Sequence, residues 1–143
     1  YDLNGRQFQE TLDTLYHEMG HTMAVKEFAT TMPPKRWQNV MKQEPAVSNY
    51  ATKSADEDFA ETIKVYLEPD RLANINRQKY PQRFAMLDEM FQRQPGMKEK
   101  ITLAYQNFFR ERGVQVMTLS GGTAILSGGQ LIYKPNNADS KKK

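Results

Sequence analysis

The chain has only two histidines, and they stand four residues apart with a glutamate directly after the first: His17-Glu18-Met19-Gly20-His21. They fall inside a stretch from Arg6 to Phe28 that reads as one long amphipathic helix. At about 100° per residue, Phe8, Leu12, Leu15, Met19 and Met23 share one stripe, which commits the helix to packing against a core. Residues four apart lie one turn apart on the same helical face, so both imidazoles can reach a common point. On the wheel they sit about 140–180° from Leu12, which predicts that they look away from the main apolar packing. Gly20 costs about 1 kcal/mol against alanine inside such a helix, so it needs a packing or access reason.

Two imidazoles one turn apart form half of a zinc site. Glu18 projects to the side, too short to reach back as a ligand and placed to hold a metal-bound water. Chance assembles this pattern from such a composition in roughly one chain in a thousand. Zinc needs a third protein ligand, with the fourth position left to water in a catalytic site. With no third histidine and no cysteine, that ligand must be aspartate or glutamate. The longer motif with a third histidine six residues on fails, because Ala24 and Glu27 stand where Gly and His would be. A second helix starting near Ser54 offers Asp56, Glu57, Asp58 and Glu61. Glu57 and Glu61 are one turn apart, on the side away from Phe59 and Ile63; one could bind an ion while the other accepts a histidine N–H. The competing use of Glu57 is as the capping-box partner of Ser54, which would leave Glu61 as the ligand.

The rest of the chain reads mainly as helix. Between Thr30 and Asn49 lies a connection broken by Pro33-Pro34 and Glu44-Pro45, with a short helix near Pro34 carrying Trp37, Val40 and Met41. Trp37, Met41 and the nearby prolines are expected to shape a lid over the cleft. The Ser54 helix buries Phe59, Ile63, Tyr66 and Leu67 and ends at Glu68-Pro69. Asp70 caps a short helix over Arg71 to Gln78, and Pro81 opens another that runs to Arg93, with Phe84, Leu87 and Phe91 inward. Lys98 to Arg112 is the last helix, burying Ile101, Tyr105, Phe108 and Phe109, with Gly113 at its C-terminal cap. The period then changes to two: Val114, Val116 and Thr118 alternate, and Thr123 to Leu126 and Gln130 to Tyr133 flank Ser127-Gly128-Gly129 as a hairpin. The expected class is α+β, mainly helical, with a small C-terminal antiparallel hairpin or sheet.

A length of 143 residues with 38% hydrophobic and 26% charged residues suits one domain, expected over residues 1–135, followed by a polar tail at 136–143. No stretch approaches the ~18 apolar residues of a membrane span, and no N-terminal export signal is visible. The absence of cysteine excludes disulfides, thiolate zinc sites, iron–sulfur clusters and cysteine nucleophiles. The net charge of +3 is matched by Lys141, Lys142 and Lys143 alone, so nothing in the composition argues for a nucleic-acid partner.

The arrangement His17-Glu18-x-x-His21, then Tyr50, then Glu57-Asp58-Phe59-Ala60-Glu61 resembles the anthrax lethal factor-like zinc metallopeptidases. These belong to the gluzincin group, whose third ligand is a glutamate on a downstream helix. In that family a tyrosine lies seven residues before the ligand glutamate of an E-x-F-A-E run, as Tyr50 lies seven before Glu57 here. The resemblance covers roughly Leu12 to Phe91. It implies zincin-like catalytic helices and one Zn2+ held by His17, His21 and Glu57. It further implies Glu18 as general base, Tyr50 as hydrogen-bond donor to the transition state, and Glu61 as a support behind the ligands. Packing against Trp37 is the plainer use for Tyr50. The connection from His21 to Tyr50 is shorter than in lethal factor. In gluzincins a sheet whose edge strand aligns the peptide precedes the motif helix. Only five residues precede Arg6, so either upstream sequence is missing or the C-terminal strands take that role. The implied activity is a zinc-dependent metalloendopeptidase acting on a protein or peptide substrate, as a secreted toxin or delivered effector domain. Hydrolysis of bacterial cell-wall peptides, or a binding module that keeps the motif without catalysis, are the alternatives.

Overall fold

The computed structural model describes residues 5–67, 73–119 and 122–135. Helix α1 spans Gly5–Phe28, followed by α2 over Lys35–Val40 and a single 3-10 turn over Tyr50–Lys53. Next come α3, Ala55–Leu67; α4, Ala73–Lys79; α5, Pro81–Arg93; and α6, Met97–Arg110. Three strands close the described fold: β1, Gln115–Leu119; β2, Gly122–Ser127; and β3, Gln130–Pro135. The protein is mainly helical α+β, with the strands forming one antiparallel sheet in the order β1-β2-β3. The expected helix stop at Glu68-Pro69, the Asp70 cap, the Arg71 start and the tail at 136–143 lie outside the described residues. No helix among the described residues is long and apolar enough to cross a membrane.

The buried face of α1 is wider than its apolar stripe. Phe8, Leu12 and Met23 are buried as expected, whereas Leu15 and Met19 are only half-buried. Tyr16, Gly20 and Ala24 are buried beside them, extending the covered arc toward the histidines. The reason is a second neighbour. Phe8 and Tyr16 meet Phe109 and Tyr105 of α6, with ring centroids 4.8 and 5.9 Å apart, while α3 covers the adjoining side. There a Cβ on Gly20 would stand 2.7 Å from Ala60 Cα and 3.0 Å from Ala60 O, so the glycine is required by backbone packing.

A buried charge network joins α2, α3 and α5. Arg83 donates from Nε to Asp58 Oδ1 at 3.0 Å and from Nη2 to Asp58 Oδ2 at 2.8 Å. Its Nη1 reaches Glu44 Oε1 at 3.1 Å and the Pro45 carbonyl at 2.9 Å. Trp37 Nε1–H donates to the same Asp58 Oδ1 at 2.9 Å. Trp37, Asp58 and Arg83 are each 1% exposed, so every charge here depends on its partner. Glu44 also accepts the Gln82 N–H at 2.5 Å and the Arg83 N–H at 3.4 Å, capping a helix whose first residue, Pro81, has no N–H to satisfy. This placement corrects the lid expectation. Trp37 is a core residue packed edge-on against Phe59 at 4.9 Å, and Met41 packs against the same core.

Helix α6 ends two residues before the expected Arg112. Gly113 takes φ +79°, the Val114 N–H returns to the Phe109 carbonyl at 2.9 Å, and the Gly113 N–H returns to Arg110 at 3.0 Å. That pattern is a Schellman cap, and it feeds the chain directly into β1. Gly128 and Gly129, both at positive φ, make the two-residue turn between β2 and β3, with Ser127 opposite Gln130. Val116, Ile125 and Ile132 form one cross-strand row against the core.

Asp58→Ala is expected to lower unfolding free energy by about 3–5 kcal/mol, because it strands a buried guanidinium. Urea denaturation followed by circular dichroism checks this; a loss under about 1 kcal/mol would show that the pair does not hold α3 to α5.

Candidate metal centre

Both motif histidines lie at the edge of the α1 face that α3 covers. Their side chains are 14% (His17) and 23% (His21) exposed, covered by the carboxylates of α3 rather than by apolar core side chains. They are partly buried because α3 extends the covered face past Tyr16, Gly20 and Ala24. Across from them, α3 presents Glu57 and Glu61 on successive turns.

Glu57 Oε1 lies 3.0 Å from His17 Nε2 and 2.9 Å from His21 Nε2. The three ligand atoms are within 4.8 Å of one another, and the two rings stand edge-on at 4.8 Å. Glu61 takes a different role. Its Oε2 is 2.7 Å from His17 Nδ1. An ionised Glu61 only accepts, so Nδ1–H donates to it, which leaves Nε2, on the Glu57 side, as the ring atom that would ligate an ion. The other Glu61 oxygen accepts from Ser48 Oγ at 2.7 Å and lies 3.3 Å from Lys64 Nζ. Burial pushes the Glu61 carboxyl up, but the Ser48 and His17 hydrogen bonds and the Lys64 charge outweigh it and hold the group below the usual carboxylate range. Glu61 is thus a buried carboxylate with both oxygens engaged.

Tyr50 OH donates to the second Glu57 oxygen, Oε2, at 3.1 Å. That hydrogen bond and the Glu57 charge raise the phenol above its usual value, so it keeps its proton. Tyr50 packs edge-on against His17 at 5.5 Å and not against Trp37. Its 3-10 turn is braced by Ser48 Oγ, which accepts the Ala51 N–H at 3.2 Å. Glu18 is exposed and lines a cleft of about 250 Å3 together with His17, Tyr50, Glu61, Asp13 and Lys64.

The other two carboxylates of α3 are engaged elsewhere. Asp56 accepts the Ser54 hydroxyl, which holds its carboxyl below the ordinary range, and Asp58 belongs to the buried Arg83 network. The capping-box use of Glu57 does not occur, because its carboxylate is turned to the histidines while Ser54 satisfies Asp56. Ser48 and Lys64 are participants that sequence reasoning missed. Lys64 had a signal, standing three residues after Glu61 on a helix; Ser48 sits in an aperiodic loop and had none.

The donor set fits a divalent ion. Zinc bonds of about 2.0–2.1 Å in tetrahedral array separate donor atoms by about 3.3 Å, so the two oxygen–nitrogen distances at Glu57 need open by only a few tenths of an ångström. Two imidazoles and one carboxylate are a catalytic-zinc set, though neighbouring transition ions accept it too. His21 Nδ1 is buried without a hydrogen-bond partner among the described residues. Comparison of the chain with protein-family models, with curated proteins and with solved structures found no match. The site is therefore read from its own geometry.

Because Gly20 sets the distance between the two ligand-bearing helices, Gly20→Ala is expected to weaken metal binding as well as cost about 1–3 kcal/mol of stability. Titration with a competing metal indicator on the folded variant checks it; wild-type affinity would show that the helix spacing does not govern the site.

Proposed function

We propose that this chain is a zinc-dependent metalloendopeptidase of the lethal factor-like gluzincin kind that its motifs resemble. The observation that carries the reading is the meeting of His17 Nε2, His21 Nε2 and Glu57 Oε1, with Glu61 orienting the first imidazole from behind. His17, His21 and Glu57 would hold the ion, and His17 also lines the cleft that contains Glu18 and Tyr50. When bound, zinc lowers the pKa of a coordinated water from 15.7 toward about 7 and polarises a carbonyl.

The remaining work belongs to the side chains. Glu18, exposed in the cleft, takes a proton from the attacking water and delivers it to the leaving amine, so the carboxylate is regenerated as the C–N bond breaks. Tyr50 retains its proton and can donate it in a hydrogen bond to the carbonyl oxygen as negative charge develops there. Glu61 keeps His17 in the tautomer that leaves Nε2 free to ligate. The substrate class in this reading is a protein or peptide. Delivery as a secreted toxin or effector belongs to the same proposal and rests on the motif resemblance alone.

Two variants separate the roles. Glu18→Gln is expected to retain one equivalent of zinc while losing about 10²–10⁴-fold in turnover, measured on a mixed peptide library with and without chelator. His21→Ala is expected to lose the ion itself, measured by elemental analysis of purified protein. Wild-type cleavage by Glu18→Gln would remove the assigned base, and wild-type protein that binds no zinc would overturn the proposal.

A further inference from the structure

The two oxygens of Glu57 have different partners. Oε1 lies 3.0 and 2.9 Å from the two histidine Nε2 atoms, whereas Oε2 accepts the Tyr50 hydroxyl at 3.1 Å. Among the described residues, Tyr50 is the only hydrogen-bond partner of that outer oxygen. A carboxylate can ligate a cation through one oxygen or through both. The two-oxygen mode would take up coordination space that a catalytic site keeps for water and substrate. Which mode holds depends on what restrains the outer oxygen, since groups hydrogen-bonded to a ligating carboxylate set its orientation.

We propose that Tyr50 is a positioning residue for the resting site: its phenol engages Glu57 Oε2 so that Glu57 presents Oε1 alone and the fourth position stays open. The inference rests on the metallopeptidase reading above and adds to Tyr50 a role that precedes substrate. The tyrosine is built for it. Its ring is wedged edge-on against His17 at 5.5 Å, and Lys53 Nζ lies 5.3 Å from the ring centre on its own turn. Ser48 ties the start of that turn to Glu61, so the phenol approaches Glu57 from a braced segment. The same hydroxyl can serve a developing oxyanion only by leaving Oε2. The resting and catalytic roles are therefore separated in time.

The test uses Co2+ in place of zinc, without substrate, in the wild-type protein and in Tyr50→Phe, which keeps the ring and loses only the hydroxyl. Four-coordinate Co2+ absorbs visible light several-fold more strongly than five-coordinate Co2+. The wild type is expected to show the intense four-coordinate bands. Tyr50→Phe, still binding one ion, is expected to show them weakened several-fold, with one more oxygen neighbour in zinc-edge X-ray absorption. An unchanged spectrum in Tyr50→Phe, or weak five-coordinate bands already in the wild type, overturns this inference and leaves the metallopeptidase reading standing. A wild-type protein that binds neither ion overturns both.

Discussion

How closely α3 can approach α1 decides whether the site exists at all. Helices whose contacts carry ordinary side chains pack with axes about 8–10 Å apart. Here Gly20 faces Ala60 so tightly that one added carbon would meet backbone. The spacing around this pair is the same on both helices. His17 and His21 stand three residues before and one after Gly20, and Glu57 and Glu61 stand three before and one after Ala60. The small pair is thus a point of close backbone approach, and the two histidines and two glutamates occupy equivalent sequence places around it. Carboxylates bridge to imidazoles directly only because the backbones have been brought this near.

Helix α3 distributes its acidic residues by rotation. Successive residues turn by about 100°, so Asp56, Glu57 and Asp58 face three directions although they are adjacent in sequence. Asp56 meets Ser54, Glu57 meets the histidines, and Asp58 meets Arg83 and Trp37 inside the core. The inward carboxylate is what ties the fold to the site. Through Arg83 it reaches Glu44 and the Pro45 carbonyl, which anchors the loop that goes on to supply Ser48 and Tyr50. A buried ion pair is a poor source of net stability, but breaking one is expensive, so it fixes the loop in one register. Core and site are therefore two faces of a single helix.

Periodicity made most of the elements legible, because burial of an apolar face is a local property of spacing. The long first helix, the Pro34 and Pro81 starts, the Gly113 cap and the C-terminal hairpin all follow from it. It failed where a residue's partner is distant in sequence. Tyr16 and Ala24 are buried because α3 and α6 both cover α1, and no count along α1 contains that information. Trp37 in a proline-rich connection reads as part of a lid until Asp58 is seen accepting its N–H inside the core. Ser54 and Glu57 match a capping box, yet the Glu57 carboxylate faces the two histidine Nε2 atoms across the helix contact and not Ser54. The absence of a third histidine and of cysteine narrowed the third-ligand candidates to Asp56, Glu57, Asp58 and Glu61, and the family resemblance pointed to Glu57; the meeting of Glu57 with both imidazoles depends on the α1–α3 contact, which no spacing contains.

The cluster also answers an electrostatic problem that its own burial creates. Glu61 is removed from water, which favours the neutral carboxyl. A neutral carboxyl could offer a proton toward His17 Nδ1 in place of accepting one. The imidazole would then carry its proton on Nε2, the nitrogen that a metal needs free. Ser48 and Lys64 prevent this by donating to the opposite oxygen, and His17 itself adds a third stabilising hydrogen bond. With these the balance tips, and the charged form persists below the ordinary carboxylate range. A loop serine and a helix lysine that touch no proposed ligand thus keep Glu61 an acceptor for the His17 Nδ1–H.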